Sequence, residues 1–87
     1  MMIFGCYSIF DKAVGAYMRP FFAQSDGQAI RMFLDLVNDK QSDLFNHPED
    51  YSLFKVATWS DESGEFVSEE PRCLARAHEM VKESNGA

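Results

Sequence analysis

The chain has 87 residues, a formal net charge of −6, 46% hydrophobic residues and 14% aromatic residues. That length fits one domain burying roughly 60–65% of its unfolded surface, which supports a modest core but not a core plus a deep, water-excluding catalytic cavity. The charge repels polyanions over distance and so excludes generic coating of duplex DNA, while a local basic and aromatic patch stays compatible with nucleic acid.

No stretch approaches the roughly 20 apolar residues of a membrane span. The first residues lack the charged region and apolar run of a signal peptide, so Cys6 and Cys73 are expected as free thiols in a reducing compartment. Two cysteines and two histidines without C-x-x-C or H-x-x-x-H spacing predict no metal site, and no cofactor is expected.

Met2 to Phe10 reads as a strand. Ile3, Gly5, Tyr7 and Ile9 fall on one side, and Met2, Phe4, Cys6 and Phe10 on the other. Both sides are apolar, so both are expected to be covered. Asp11 to Ala16 is small and polar, with Gly15 available for a positive φ, and predicts a hairpin loop. Tyr17 to Ala23 is the second strand. Pro20 lacks an N–H, which puts the strand at a sheet edge or breaks its pairing.

Ser25-Asp26-Gly27-Gln28 is a helix start with capping-box spacing. The helix is predicted to run to about Asn38, with Ala29, Ile30, Phe33, Leu34 and Val37 as its apolar stripe and Met32 and Leu36 widening it. Asp39 to Asp50 reads as a loop. Tyr51 to Trp59 is a third strand, with Phe54, Val56 and Thr58 facing one way and Tyr51, Leu53, Ala57 and Trp59 the other. Asp61 to Glu65 turns at Gly64, and Phe66-Val67 begins a short fourth strand. Glu69-Glu70-Pro71 then predicts the start of a second helix carrying Leu74, Ala77 and Val81.

The order is ββαββα, an α+β fold in which two hairpins form one antiparallel sheet with a helix on one face. Two strands with two apolar faces exceed what a helix of about 12 residues covers. The second helix can cover part of the remainder; a second copy of the chain is the other common remedy, and a homodimer is expected.

Little in the chain points to catalysis. His47 with Glu49 and Asp50 sits in a proline-containing loop and reads as turn chemistry. Cys73, expected near a helix start beside Arg72, has no His–Asp pair spaced to make it a nucleophile. No glycine-rich phosphate loop is present. The best binding constellation is Tyr17, Arg19 and Phe21, which period two places on one strand face, with Lys55 near them if the hairpins are adjacent. Aromatics plus a cation suit single-stranded nucleic acid. The run from Asp61 to Glu70 holds five acids, Asp61, Glu62, Glu65, Glu69 and Glu70, and no Lys or Arg. It offers a surface for a protein partner.

Two stretches carry a family resemblance. Ala16 to Arg31 resembles the Y-x-x-P-F-F-A-x-x-D-G-x-A-I-R signature of small nonstructural proteins of gokushoviruses, a branch of the Microviridae. His47 to Phe54 resembles their H-P-E-D-Y-x-L-F segment. The resemblance implies a non-virion accessory factor in the bacterial host cytoplasm that assists single-stranded DNA synthesis or its switch to packaging, with no catalytic residues to carry over. Two readings follow. In the first, the chain contacts single-stranded DNA or a phage replication protein through Tyr17, Arg19, Phe21 and Lys55. In the second, it binds a host or viral protein through its acidic segment or exposed aromatics.

Overall fold

The computed structural model describes residues 2–80. Met1 and residues 81–87 lie outside them, and with them Val81, Lys82 and Glu83 of the expected second helix and the last three residues, Asn85-Gly86-Ala87, for which the sequence predicts fraying. The described elements are β1 (Ile3–Asp11), β2 (Ala16–Tyr17), β3 (Phe21–Ala23), α1 (Asp26–Val37), α2 (Asp43–Asn46), a 3-10 turn (Pro48–Asp50), β4 (Tyr51–Ser60), β5 (Phe66–Arg76) and α3 (Ala77–Met80). The strands form one antiparallel sheet in which β1 and β4 are central. β5 forms one edge, and β2 and β3 together form the other. This is the expected α+β architecture.

Alternation along β1 decides the layers. Tyr7 and Ile9 point toward α1 and are buried, where they join Ala23, Ala29, Phe33, Val37, Leu44, Tyr51, Leu53 and Ala77 in one core. Phe33, Val37 and Leu53 have no exposed surface, and burying a side chain of this kind stabilises by about 1.5–3 kcal/mol. α1 begins where its cap residues dictate. The Ser25 hydroxyl accepts from the Gln28 N–H at 3.1 Å, which satisfies one first-turn donor, and the Gln28 side chain accepts from the Gln24 N–H just before the cap at 2.8 Å.

Pro20 interrupts the edge strand. Tyr17 stands opposite Phe10 and Phe21 opposite Tyr7. Three residues, Met18 to Pro20, thus span a gap that β1 crosses with two. The extra residue is a bulge, and it reverses which side each later residue faces. Met18 keeps the segment attached: its N–H donates to the Ile9 carbonyl at 2.7 Å, and its carbonyl accepts from the Ser8 hydroxyl at 2.6 Å.

Three expectations need correction. Part of the loop from Asp39 to Asp50 is helical, because Ser42 caps α2 by accepting from the Phe45 N–H at 3.1 Å and Leu44 is drawn into the core. The helix expected from Glu69 is instead strand: β5 continues to Arg76, and only Ala77–Met80 is helical. Glu-Glu-Pro resembles a helix start, but here it fills a bulge. Glu69, Glu70 and Pro71 lie between the Ala57–Ser68 and Lys55–Arg72 pairs, where β4 has the single residue Val56. Proline lacks a ladder donor and is tolerated in such an edge bulge. Finally, β4 does not alternate strictly. The register against β1 shifts at Val56, so Phe54, Ala57 and Trp59 share one face and Tyr51, Leu53, Lys55 and Thr58 the other.

Candidate functional site

The bulges at Met18 to Pro20 and at Val56 gather an aromatic surface on the side of the sheet away from α1. By register, Phe4, Cys6, Ser8 and Phe10 of β1 face this way. So do Tyr17, Phe22, Phe54, Ala57, Trp59, Phe66 and Ser68, and Ser52, Cys73 and Arg76 complete the face. Seven rings fall into two groups. At one end, Phe10, Tyr17 and Phe54 meet edge to face, with centroids 4.9, 5.6 and 6.4 Å apart. At the other end, Trp59 lies 5.8 Å from Phe4, 5.8 Å from Phe22 and 6.3 Å from Phe66, and Phe22 lies 6.1 Å from Phe66. These are the separations at which aromatic pairs attract.

Cys6, Ser8 and Ala57 form a floor of small buried residues between the groups. Burial pushes the Cys6 thiol above its usual range. Tyr17, Phe22 and Phe66 keep 46%, 45% and 58% of their surface exposed. No described helix packs on this face, since α1, α2 and α3 all contribute to the core on the other side. Among its register-paired residues there is no Asp or Glu, and Arg76 is the one cation.

The structure separates the expected nucleic-acid residues. Tyr17 joins the open face. Phe21 does not share its side: the bulge at Pro20 turns Phe21 toward α1, where it packs on the core and its ring lies 5.8 Å from that of Tyr7. Arg19 lies within the strand break and lines an apolar groove with Ile9, Met18, Phe21, Met32 and Leu36. Lys55 is on the α1 side, opposite Tyr7, with its ammonium 3.9 Å from the Asp26 carboxylate. Tyr17, Arg19, Phe21 and Lys55 are therefore not one site.

Asp26 explains where Lys55 is held. Its carboxylate accepts from the Tyr7 hydroxyl at 2.7 Å and from Arg72 at 3.2 Å. The Tyr7 hydrogen bond leads in holding the Asp26 carboxyl below its usual range, with the two cations assisting. The same surroundings, burial first, push the Tyr7 phenol upward. The cluster ties the first turn of α1 to β1, β4 and β5. Gly5 is part of it, since the Tyr7 ring lies over Gly5 where a Cβ would stand.

Asp61, Glu62 and Glu65 lie in the exposed turn between β4 and β5, and Glu69 and Glu70 lie in the exposed bulge of β5. They flank the aromatic face without entering its register-paired surface. Cys73 is on edge strand β5 opposite Phe54, not at a helix start. The His47 carbonyl accepts from the Asp50 N–H at 3.1 Å as part of the turn. Among the described residues no group of three or more His, Cys, Asp or Glu could hold a metal ion, and no helix is long and apolar enough to cross a membrane.

Six of the seven rings, all but Tyr17, were not named as site residues from the sequence. The signal that pointed to them was the aromatic excess, eight Phe in 87 residues, together with strands apolar on both sides.

No curated protein and no solved structure matches the chain. A family model does match, over residues 4–80, and its description is Phage ORF5 protein. That span runs from the first ring of the open face through α3, and so covers every element described above but for the first residue of β1. The chain belongs to the Phage ORF5 protein family and is a phage protein.

Proposed function

We propose that the chain is a non-catalytic accessory factor of a gokushovirus-type phage, acting in the host cytoplasm and outside the virion. In this reading it assists synthesis of the single-stranded genome or the switch to packaging, and it works by binding through the open aromatic face. The observation that carries the proposal is that face: seven rings gathered on one side of a small sheet with no described element over them.

Charge selects between partners. Lys55 and Arg72 are engaged by Asp26, and the chain carries −6 overall, so phosphate pairing is weakly provided for. An aromatic surface with a single cation, Arg76, on an acidic protein favours a protein partner. Direct contact with the genome is the second reading. It draws on the same rings, since bases stack on aromatic side chains at about 1–3 kcal/mol each.

The test is complementation. Phage lacking the gene is supplied with the wild-type protein or with a Phe22→Ser, Phe66→Ser double variant, and single-stranded and packaged genomes are quantified. The variant is expected to lower one of these yields. Unchanged yields from a folded variant would overturn the assignment of the face. Fluorescence anisotropy of a labelled single-stranded oligonucleotide, at low and physiological salt, separates the partners. Salt-weakened binding lost in the double variant would establish genome contact, whereas its absence at low salt supports a protein partner.

A further inference from the structure

We infer that the occupant of the open face is a second copy of this chain, paired about a two-fold axis. The inference rests on the reading of that face as the binding surface and names its partner.

Area is the first argument. Tyr17, Phe22 and Phe66 are about half exposed. Three such rings present roughly 300 Å² of apolar surface at about 200 Å² per aromatic side chain. The half-buried rings Phe4, Phe10, Phe54 and Trp59 bring the face to about 450 Å². The largest apolar patch of a soluble monomer is about 300–600 Å² and is often a binding surface. A small stable interface buries about 600 Å² per partner, so this face supplies about three-quarters of what a modest dimer requires and its polar margin supplies the rest.

Symmetry is the second argument. In an isologous contact residue i meets residue j and j meets i, so each charge in the patch is buried twice and must find its partner within the same patch. This face has no carboxylate among its register-paired residues, although the chain has 14 acids and 8 Lys and Arg. The acids of the β4–β5 turn and the β5 bulge lie at its margin. The floor of Cys6, Ser8 and Ala57 separates the two ring groups. A two-fold axis over that floor lays the Phe10, Tyr17 and Phe54 group of one protomer on the Phe22, Trp59 and Phe66 group of its partner.

Salt gives the dimer a signature that nucleic-acid binding lacks. Two chains of −6 repel, so added salt screens the repulsion and strengthens association. Binding to DNA phosphates weakens with salt.

Sedimentation velocity over a micromolar concentration series, at low and high salt, is the decisive measurement. The wild type is expected to shift from monomer to dimer as concentration rises, and more readily at high salt. Trp59 is the single tryptophan, and its emission should shift to the blue along the same curve. Phe66→Glu and, separately, Tyr17→Glu should weaken association tenfold or more with unchanged circular dichroism. Val67→Glu is the control. Val67 is 60% exposed but opposes Thr58 on the α1 side of the sheet, so the dimer should survive it. A wild type that stays monomeric at all salts would overturn the dimer, as would a dimer indifferent to both face variants. Oligonucleotide anisotropy on the same samples, with the genome yields, then separates the two claims. A monomer whose open face binds DNA leaves the face as the binding surface and removes only the second copy; a monomer that binds no DNA also removes only the second copy, and unchanged genome yields with the Phe22→Ser, Phe66→Ser variant are what would remove the face.

Discussion

On the α1 side of the sheet, Tyr7 and Leu53 keep 1% and 0% of their surface exposed, whereas on the opposite side Phe22 and Phe66 keep 45% and 58%. The two sides have similar apolar content but different neighbours. One is closed by Phe33 and Val37 of α1 and carries the ionic cluster around Asp26. The other is nearly free of charge and is closed by nothing in the described residues. The difference shows that one face of the strands carries the core while the other leaves its rings accessible, and the proposed binding belongs to the second. Substitutions should therefore divide cleanly between the two.

The largest effect is expected on the closed side. Phe33→Ala removes a ring with no exposed surface and should destabilise by about 3–5 kcal/mol in urea unfolding, or abolish folding. A cost under about 1 kcal/mol would mean that α1 does not hold the core. Gly5→Ala comes next. Its methyl group would overlap the Tyr7 phenol, and overpacking of this kind costs about 1–3 kcal/mol. Restored stability in Gly5→Ala, Tyr7→Phe relative to Gly5→Ala would identify the phenol as the obstacle.

Asp26→Asn should cost about 0.5–1 kcal/mol at neutral pH, because the carboxylate is 38% exposed and its ion pairs are screened. The sign of its pH dependence follows from the depressed carboxyl. Stabilisation is fully present above the ordinary aspartate value of about 4 and is lost as pH falls through the lower folded-state value. The gap in melting temperature between wild type and Asp26→Asn should therefore close on acidification below about pH 4. A gap independent of pH would remove charge from the account. The smallest effect belongs to the open side, where Phe66→Ser should change monomer stability by no more than about 0.5 kcal/mol. A loss as large as that of Phe33→Ala would erase the contrast between the faces.

Much of this architecture is legible in the residues. Ser25 and Gln28 announce α1, and the stripe of Ala29, Phe33 and Val37 shows which side of it is buried. Pro20 marks the break in the edge strand, and β1 shows two apolar sides. The grouping of the rings is less legible, because it depends on parity. Phe54 and Trp59 are five apart and fall on opposite sides of a regular strand, yet the bulge at Val56 puts them together. The bulge at Met18 to Pro20 likewise parts Tyr17 from Phe21 and brings Phe22 to the open side. A bulge reflects pairing with another strand, so neither strand's own sequence declares it. Pro71 is harder still. After two acids it satisfies every local rule for a helix start, and only the pairing of Arg72 and Cys73 with β4 overrides those rules.

The two prolines have a joint consequence for how such a surface can be carried safely. A chain with this many exposed rings is at risk of stacking strand on strand into fibres, a process that needs a sheet margin with an unbroken row of free N–H and C=O groups. Pro20 interrupts the margin formed by β2 and β3, and Pro71 with its bulge interrupts the margin formed by β5. Growth along the sheet is disfavoured at both margins, so the proposed pairing is left the flat of the sheet, where it would saturate once one partner had been met.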